Sequence, residues 1–225
     1  MELAEHRIDG VGVSPGIAIG TVWISHAEML QAPDRAIQPT ETDAELQRFR
    51  DAVETGLRQL RTLRRKAAQL PGDAAEEAGL LLDVYARMLQ GSRLVRGVEH
   101  RITSDLRNAE GAVQSEIREI TAEFRAMGDA YLAARGDDIL EVGSRLIRNL
   151  TKDTGIGIEA APDGSVILAE EMSPADPALL NPARIRGFAA VLGGAEGHTA
   201  ILARSLGLPA VLGAPELLTA GRNGE

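Results

Sequence analysis

The chain has 225 residues, 44% hydrophobic and 25% charged, with a formal net charge of −9 and no cysteine. That length permits one or two domains with buried cores, the acidic balance argues against a nucleic-acid surface and for a basic partner, and the lack of cysteine excludes disulfides and thiolate metal sites. No apolar run approaches the ~20 residues that span a bilayer and the acidic start lacks the features of a signal peptide, so a cytoplasmic protein without membrane association is expected.

From Arg7 to Ile24 the chain is rich in Gly and Val with short apolar runs, which predicts strands joined by turns. Pro33 and Pro39 then mark a linker. Beyond it Leu46, Phe49, Val53, Leu57, Leu60, Leu63, Ala67 and Leu70 recur at helical spacing, predicting a long amphipathic helix capped by Thr40 or Thr42 and ended by Pro71-Gly72. A second helix follows through Leu80, Leu81, Val84, Tyr85, Met88 and Leu89 to Gly91, and a third takes in Leu94, Val98 and Ile102. Val113, Ile117, Ile120, Phe124, Met127 and Tyr131 give a fourth, and Ile139, Val142, Leu146 and Leu150 a fifth that opens near Asp137-Asp138. Helices of this length with short connections pack antiparallel.

After Gly155 strand texture returns at Ser165 to Ala169, Gly187 to Leu192 and Pro209 to Leu212, with short helices after Pro174 and His198. Because early and late strands share this character, the expected fold class is α+β/α: an α/β domain (residues 1–32 and 153–225) interrupted by an inserted antiparallel helical bundle (residues 33–152).

The chemistry concentrates around His198. A strand breaks at Gly193-Gly194, and one histidine stands at the mouth of a short apolar helix that runs to Arg204. Unpaired N–H groups and the helix dipole favour an anion there, and the glycines permit close backbone approach. A neutral imidazole nitrogen can attack a phosphoryl group while the other is fixed by a hydrogen bond. The plain alternative is a capping or loop histidine. Ser173-Pro174 reads equally as a helix cap with a first-turn proline, and Arg204 as a phosphate-neutralising group or a surface arginine. Glu76 and Glu77 belong to an acidic helix face. Ser14-Pro15-Gly16 lacks the lysine of a phosphate-binding loop, Gly155-Ile156-Gly157 lacks the context of a dinucleotide site, and His6, His26 and His100 are too scattered for zinc.

The run from Gly193 to Gly213 resembles the phosphohistidine signature of Enzyme I of the phosphoenolpyruvate-dependent sugar phosphotransferase system, GG-x-T-S-H-x-A-I-x-A-R followed by G-x-P-A-V-x-G. Gly193, Gly194, His198, Ala200, Ile201, Ala203, Arg204, Gly207, Pro209, Ala210, Val211 and Gly213 fall in register. Gly10 to Gly20, Val142 to Leu150 and Val166 to Pro174 resemble three further blocks in the family's order. The resemblance implies a phosphohistidine α/β domain split by a helical carrier-binding domain, with His198 accepting the phosphoryl group of phosphoenolpyruvate and passing it to a histidine of an HPr-type carrier. It implies that Ser173 orients His198 and that Glu76, Glu77, Tyr85, Met88, Leu89 and Arg135 meet the carrier. It further implies a barrel domain beyond Glu225 that binds phosphoenolpyruvate and Mg²⁺ and forms a homodimer, so this portion is expected to be monomeric and to bind no cofactor or metal itself. Glu196-Gly197 departs from the family's Thr-Ser, removing two hydroxyl donors and adding a carboxylate beside the acceptor. Nitrogen-type Enzyme I, a dihydroxyacetone-kinase phosphocarrier and a swivelling domain of the pyruvate phosphate dikinase type share the site; a non-catalytic helical interaction module is the reading of another class.

Overall fold

The computed structural model describes residues 6–25, 33–70, 73–128, 130–152, 158–170, 172, 182–195, 198–221 and 224. The chain divides into two compact units, one of Met1–Ala27, Leu63–Leu81 and Gly155–Glu225, the other of Glu28–Thr62 and Leu82–Thr154. This differs from the expected division at residues 32/33 and 152/153 chiefly in placing Leu63–Leu81 with the α/β unit.

The α/β unit is built on a five-stranded sheet of β1 (Val11–Ser14), β2 (Val22–Ser25), β3 (Ser165–Ala169), β4 (Ile185–Ala190) and β5 (Ala210–Leu212) in the order β1-β5-β4-β3-β2. β2, β3, β4 and β5 run parallel, while β1 is antiparallel to β5. β3 and β4 are almost continuously buried, as parallel strands covered on both faces require. On one face Ile167, Ile185, Phe188 and Leu212 pack with Ala200, Ala203 and Leu208; on the other Ile24 and Leu168 pack with Ala214 and Leu217. The strand expected from Gly187 to Leu192 lies two residues earlier, and Leu192 is 49% exposed.

The helical unit holds most of α1 (Thr42–Ala67), the end of α2 (Asp73–Met88), and α3 (Arg93–Thr103), α4 (Ala109–Ala126) and α5 (Ala130–Thr151). α4 packs against both α3 and α5. The fourth helix does not extend to Tyr131: Gly128 adopts φ 68°, a left-handed stop, and Tyr131 belongs to α5. Neither Thr40 nor Thr42 caps α1. A 3-10 turn, Pro39–Glu41, precedes it, and the Gln38 N–H donates to Glu41 Oε2 at 2.7 Å.

That hydrogen bond, with Arg35 beside it, holds the Glu41 carboxyl below its usual range. A carboxylate with a depressed folded-state value contributes stability above its unfolded value and loses it as pH falls through the folded one. Glu41→Gln is therefore expected to lower the melting temperature slightly at neutral pH, the difference closing on acidification through the carboxylate range.

The linker is not loose. Ile37 N–H donates to the Leu106 carbonyl at 2.8 Å, Asn108 N–H to that of Arg35 at 3.1 Å, and Asn108 Nδ2 to that of Pro33 at 2.7 Å. Beneath it, Glu45 and Glu110 have side chains only 5% and 6% exposed. Arg48 bridges them, 2.8 Å from Glu45 Oε2, while that same carboxylate accepts the N–H of Ala109 at the start of α4. Removing the bridging cation leaves Glu110 with the neutral Asn108 amide and Glu45 with Arg35 and the Ala109 N–H, two buried carboxylates sharing less positive charge. Arg48→Met is expected to cost about 2–3 kcal/mol in urea unfolding, less than a fully buried pair because the guanidinium is partly screened by solvent.

Candidate functional site

In a parallel sheet, the loops beyond the strands' carboxyl ends lie along one edge, where ligand sites of such folds gather. β4 leaves that edge at Ala190, and the chain turns at Gly193, whose φ of 110° is rarely open to any residue with a side chain. Gly194 is surrounded by open space. α6 (His198–Leu206) then begins with the histidine as its first residue, so the N–H groups of its opening turn lack intrahelical partners.

The helix is fixed on its inner side by Ala200 and Ala203, 0% and 1% exposed, whose small side chains allow close packing on β1 and β5. Gly207, at φ 63°, ends it, and the Leu208 N–H closes back on the Ala203 carbonyl at 3.1 Å. Pro209 lacks an N–H but offers its carbonyl to Phe188 N–H at 3.1 Å, leading into β5. The linear motif thus specifies a glycine turn, a thin-faced helix, a glycine stop and a strand. Near the helix start, the Thr199 hydroxyl donates to the Met172 carbonyl at 3.4 Å, joining α6 to that residue.

The expected site residues fare differently. The backbone of His198 opens α6 as anticipated; its side chain, Ser173, Glu196, Gly197 and the Glu77 side chain lie outside the described residues. Arg204 does not stand as a free cation: Nη1 donates to the carbonyls of Val13 at 3.1 Å and Ala195 at 3.3 Å, and Nη2 to that of Ala195 at 3.3 Å. Glu76 is exposed and Met88 half-buried. Tyr85 and Leu89 correct the expectation of a contact surface, being 0% and 2% exposed. Tyr85 Oη donates to Asp138 Oδ1 at 3.2 Å, and a Cβ built on Gly56 would lie 3.0 Å from Leu89 Cδ1. They are core residues because α2 turns that face toward α1 and α5. Arg135 is paired with Asp138 Oδ2 at 2.9 Å. Sequence reasoning missed Thr199 and Val13; nothing local marks a carbonyl as the partner of an arginine so far along the chain.

Among the described residues no three His, Cys, Asp or Glu side chains gather as a cation site, and no helix is long and apolar enough to cross a membrane.

The family pattern described as PEP-utilising enzyme, N-terminal, matches residues 9–135, and that described as PEP-utilising enzyme, mobile domain, matches residues 161–225. The phosphoenolpyruvate-protein phosphotransferase of Haloferax volcanii is 35% identical over 99% of this chain and 38% of its own length. That of Streptomyces coelicolor is 36% identical over 94% of this chain and 36% of its own. The chain thus spans little more than a third of these relatives. An NMR solution structure of an Enzyme I protein superposes with a TM-score of 0.79 at 29% identity, covering 97% of this chain and 87% of that one. The N-terminal domain of Enzyme 1 - Nitrogen superposes with a TM-score of 0.65 at 27% identity, covering 92% and 84%.

Proposed function

Since the chain belongs to the phosphoenolpyruvate-utilising enzymes, we propose that it is the phosphoryl-relay portion of a cytoplasmic phosphoenolpyruvate-protein phosphotransferase, with His198 as acceptor. A ring nitrogen of His198 forms the new P–N bond in line with the bond that breaks, whose electron pair returns to the departing group. In one direction that group is the enolate of pyruvate from phosphoenolpyruvate, held with Mg²⁺ by a barrel domain beyond this chain; in the other, the phosphoryl group moves between His198 and a histidine of an HPr-type carrier. Phosphohistidine suits a relay because its P–N bond transfers readily both ways.

The observation that carries this reading is the position of His198 as the opening residue of α6 at the carboxyl edge of the parallel sheet. Peptide dipoles and unpaired N–H groups there favour the charge a phosphoryl group brings. Ser173 is assigned the orienting role, and Glu76, Glu77, Met88 and Arg135 the carrier contacts, the acidic residues meeting basic groups on the carrier. Burial withdraws Tyr85 and Leu89 from that set.

Incubation with a phosphorylated HPr-type carrier tests the proposal. The protein should acquire acid-labile phosphate on the peptide containing His198, whereas phosphoenolpyruvate and Mg²⁺ without the barrel should leave it unlabelled. A nitrogen-type relay is the second reading, given the likeness to Enzyme 1 - Nitrogen. Faster labelling by carriers of that type would select it.

A further inference from the structure

β1 does not pair evenly with β5. Its register slips between Gly12 and Ser14, leaving Val13 as the extra residue of a β-bulge. A bulge takes one residue out of the ladder. The Val13 carbonyl accepts Arg204 Nη1 at 3.1 Å across 191 positions of sequence, and the same guanidinium holds the Ala195 carbonyl through Nη1 and Nη2, each at 3.3 Å.

Among the described residues, the Arg204 guanidinium is the side chain that holds the Ala195 carbonyl. Ala195 is exposed, a Cβ on Gly194 would meet nothing within 4 Å, and Gly193 stands at φ 110°. Side-chain packing fixes the inner face of α6 through Ala200 and Ala203. A planar guanidinium can grip two carbonyls from one rigid fork, which an ammonium group on a flexible stem cannot reproduce.

We propose that Arg204 is a positioning residue: it fastens the Ala195 carbonyl to the β1 bulge and so sets where α6 begins, with His198 as its first residue. Arg204 acts through its fixed donors and not as a charge placed against the phosphoryl group. The strand block at Gly12 to Ser14 therefore belongs to the site through its backbone. The kinetic part of this proposal rests on His198 being the phosphoryl acceptor; the clamp itself does not.

Two measurements test it. In NMR spectra of protein labelled at arginine nitrogens and at carbonyl carbons, Arg204 should show slowed guanidinium rotation and couplings across hydrogen bonds to Val13 and Ala195, unchanged when His198 is phosphorylated. Free rotation without those couplings, or a new coupling to phosphorus, would overturn the proposal. In transfer from a phosphorylated HPr-type carrier, Arg204→Lys and Arg204→Ala should fall together, by about 10²-fold in kcat with KM unchanged, as expected for a misplaced acceptor. A lysine variant close to the wild-type rate would show that charge suffices and sink the clamp as a functional device. If the unaltered protein takes no label, the relay reading fails, while the couplings still decide the clamp.

Discussion

Replacing His198 by alanine is expected to reduce labelling by a phosphorylated carrier by more than about 10³-fold, the scale on which removal of an acting nucleophile is felt. The reason is chemical. A phosphoryl acceptor must offer a lone pair that is unprotonated near neutrality, and imidazole is the side chain suited to that task there. Neither flanking residue substitutes: Gly197 has no side chain, and Thr199 donates its hydroxyl to the Met172 carbonyl. His100 stands in the last turn of α3 near Ser104, in the other unit, and is no part of this turn. Alanine is the better helix former, so the variant should unfold within about 1 kcal/mol of the parent. A folded His198→Ala protein that still gains acid-labile phosphate from the carrier would place the acceptor elsewhere.

The second large effect is steric. Gly143 lies inside α5, where a Cβ would overlap Ile117 Cδ1 and lie 2.6 Å from its Cγ1, and Ile117 is 0% exposed in the core of α4. Ile117 must shift against its buried neighbours to make room. Helix propensity alone predicts that Gly143→Ala gains about 1 kcal/mol, but overpacking of this kind costs about 1–3 kcal/mol and wins or cancels. Gly143→Val adds two methyl groups and a β-branched penalty, so a loss of about 3 kcal/mol or more is expected in chemical unfolding. Gly136 provides the contrast within the same helix: among the described residues its Cβ would meet Thr121 Cγ2 alone, at 3.4 Å, so Gly136→Ala should be neutral or stabilise by up to about 1 kcal/mol. Trimming Ile117 to alanine should relieve the Gly143→Ala strain, giving a coupling of about 1 kcal/mol in a double-mutant cycle. Additive losses would mean that α4 and α5 do not meet at this point.

The helical unit also shows where hydrophobic periodicity misleads. Of the apolar series in α1, Phe49, Leu60, Leu63 and Ala67 are buried, but Leu46, Val53 and Leu57 are only half-buried and Glu45, Ala52 and Gly56, outside the series, complete the buried row. Helices approach most closely where side chains are small. Ala52 and Gly56 therefore take buried positions between Phe49 and Leu60, and the half-buried Leu46, Val53 and Leu57 flank that row. Glu45 enters the interior because Arg35, Arg48 and the Ala109 N–H are all there to receive it. A carboxylate in a sequence reads as solvent-facing, since only its partners make burial tolerable and they come from other elements.

The sequence by itself determined the alternation of strand and helical texture, and hence an α/β domain with a helical insertion. It also determined the glycine turn, the histidine that opens α6 and the glycine stop, because these depend on backbone conformations and spacings encoded within a few residues. Only the tertiary structure decided that Tyr85 and Leu89 are core, which side of α1 is innermost, and that Arg204 closes on a bulge carbonyl at the far end of the chain. Periodicity specifies a face to within about one position on a helix. Which side chain on it is buried, and which polar group finds a partner, is set by the surfaces that come to lie against it.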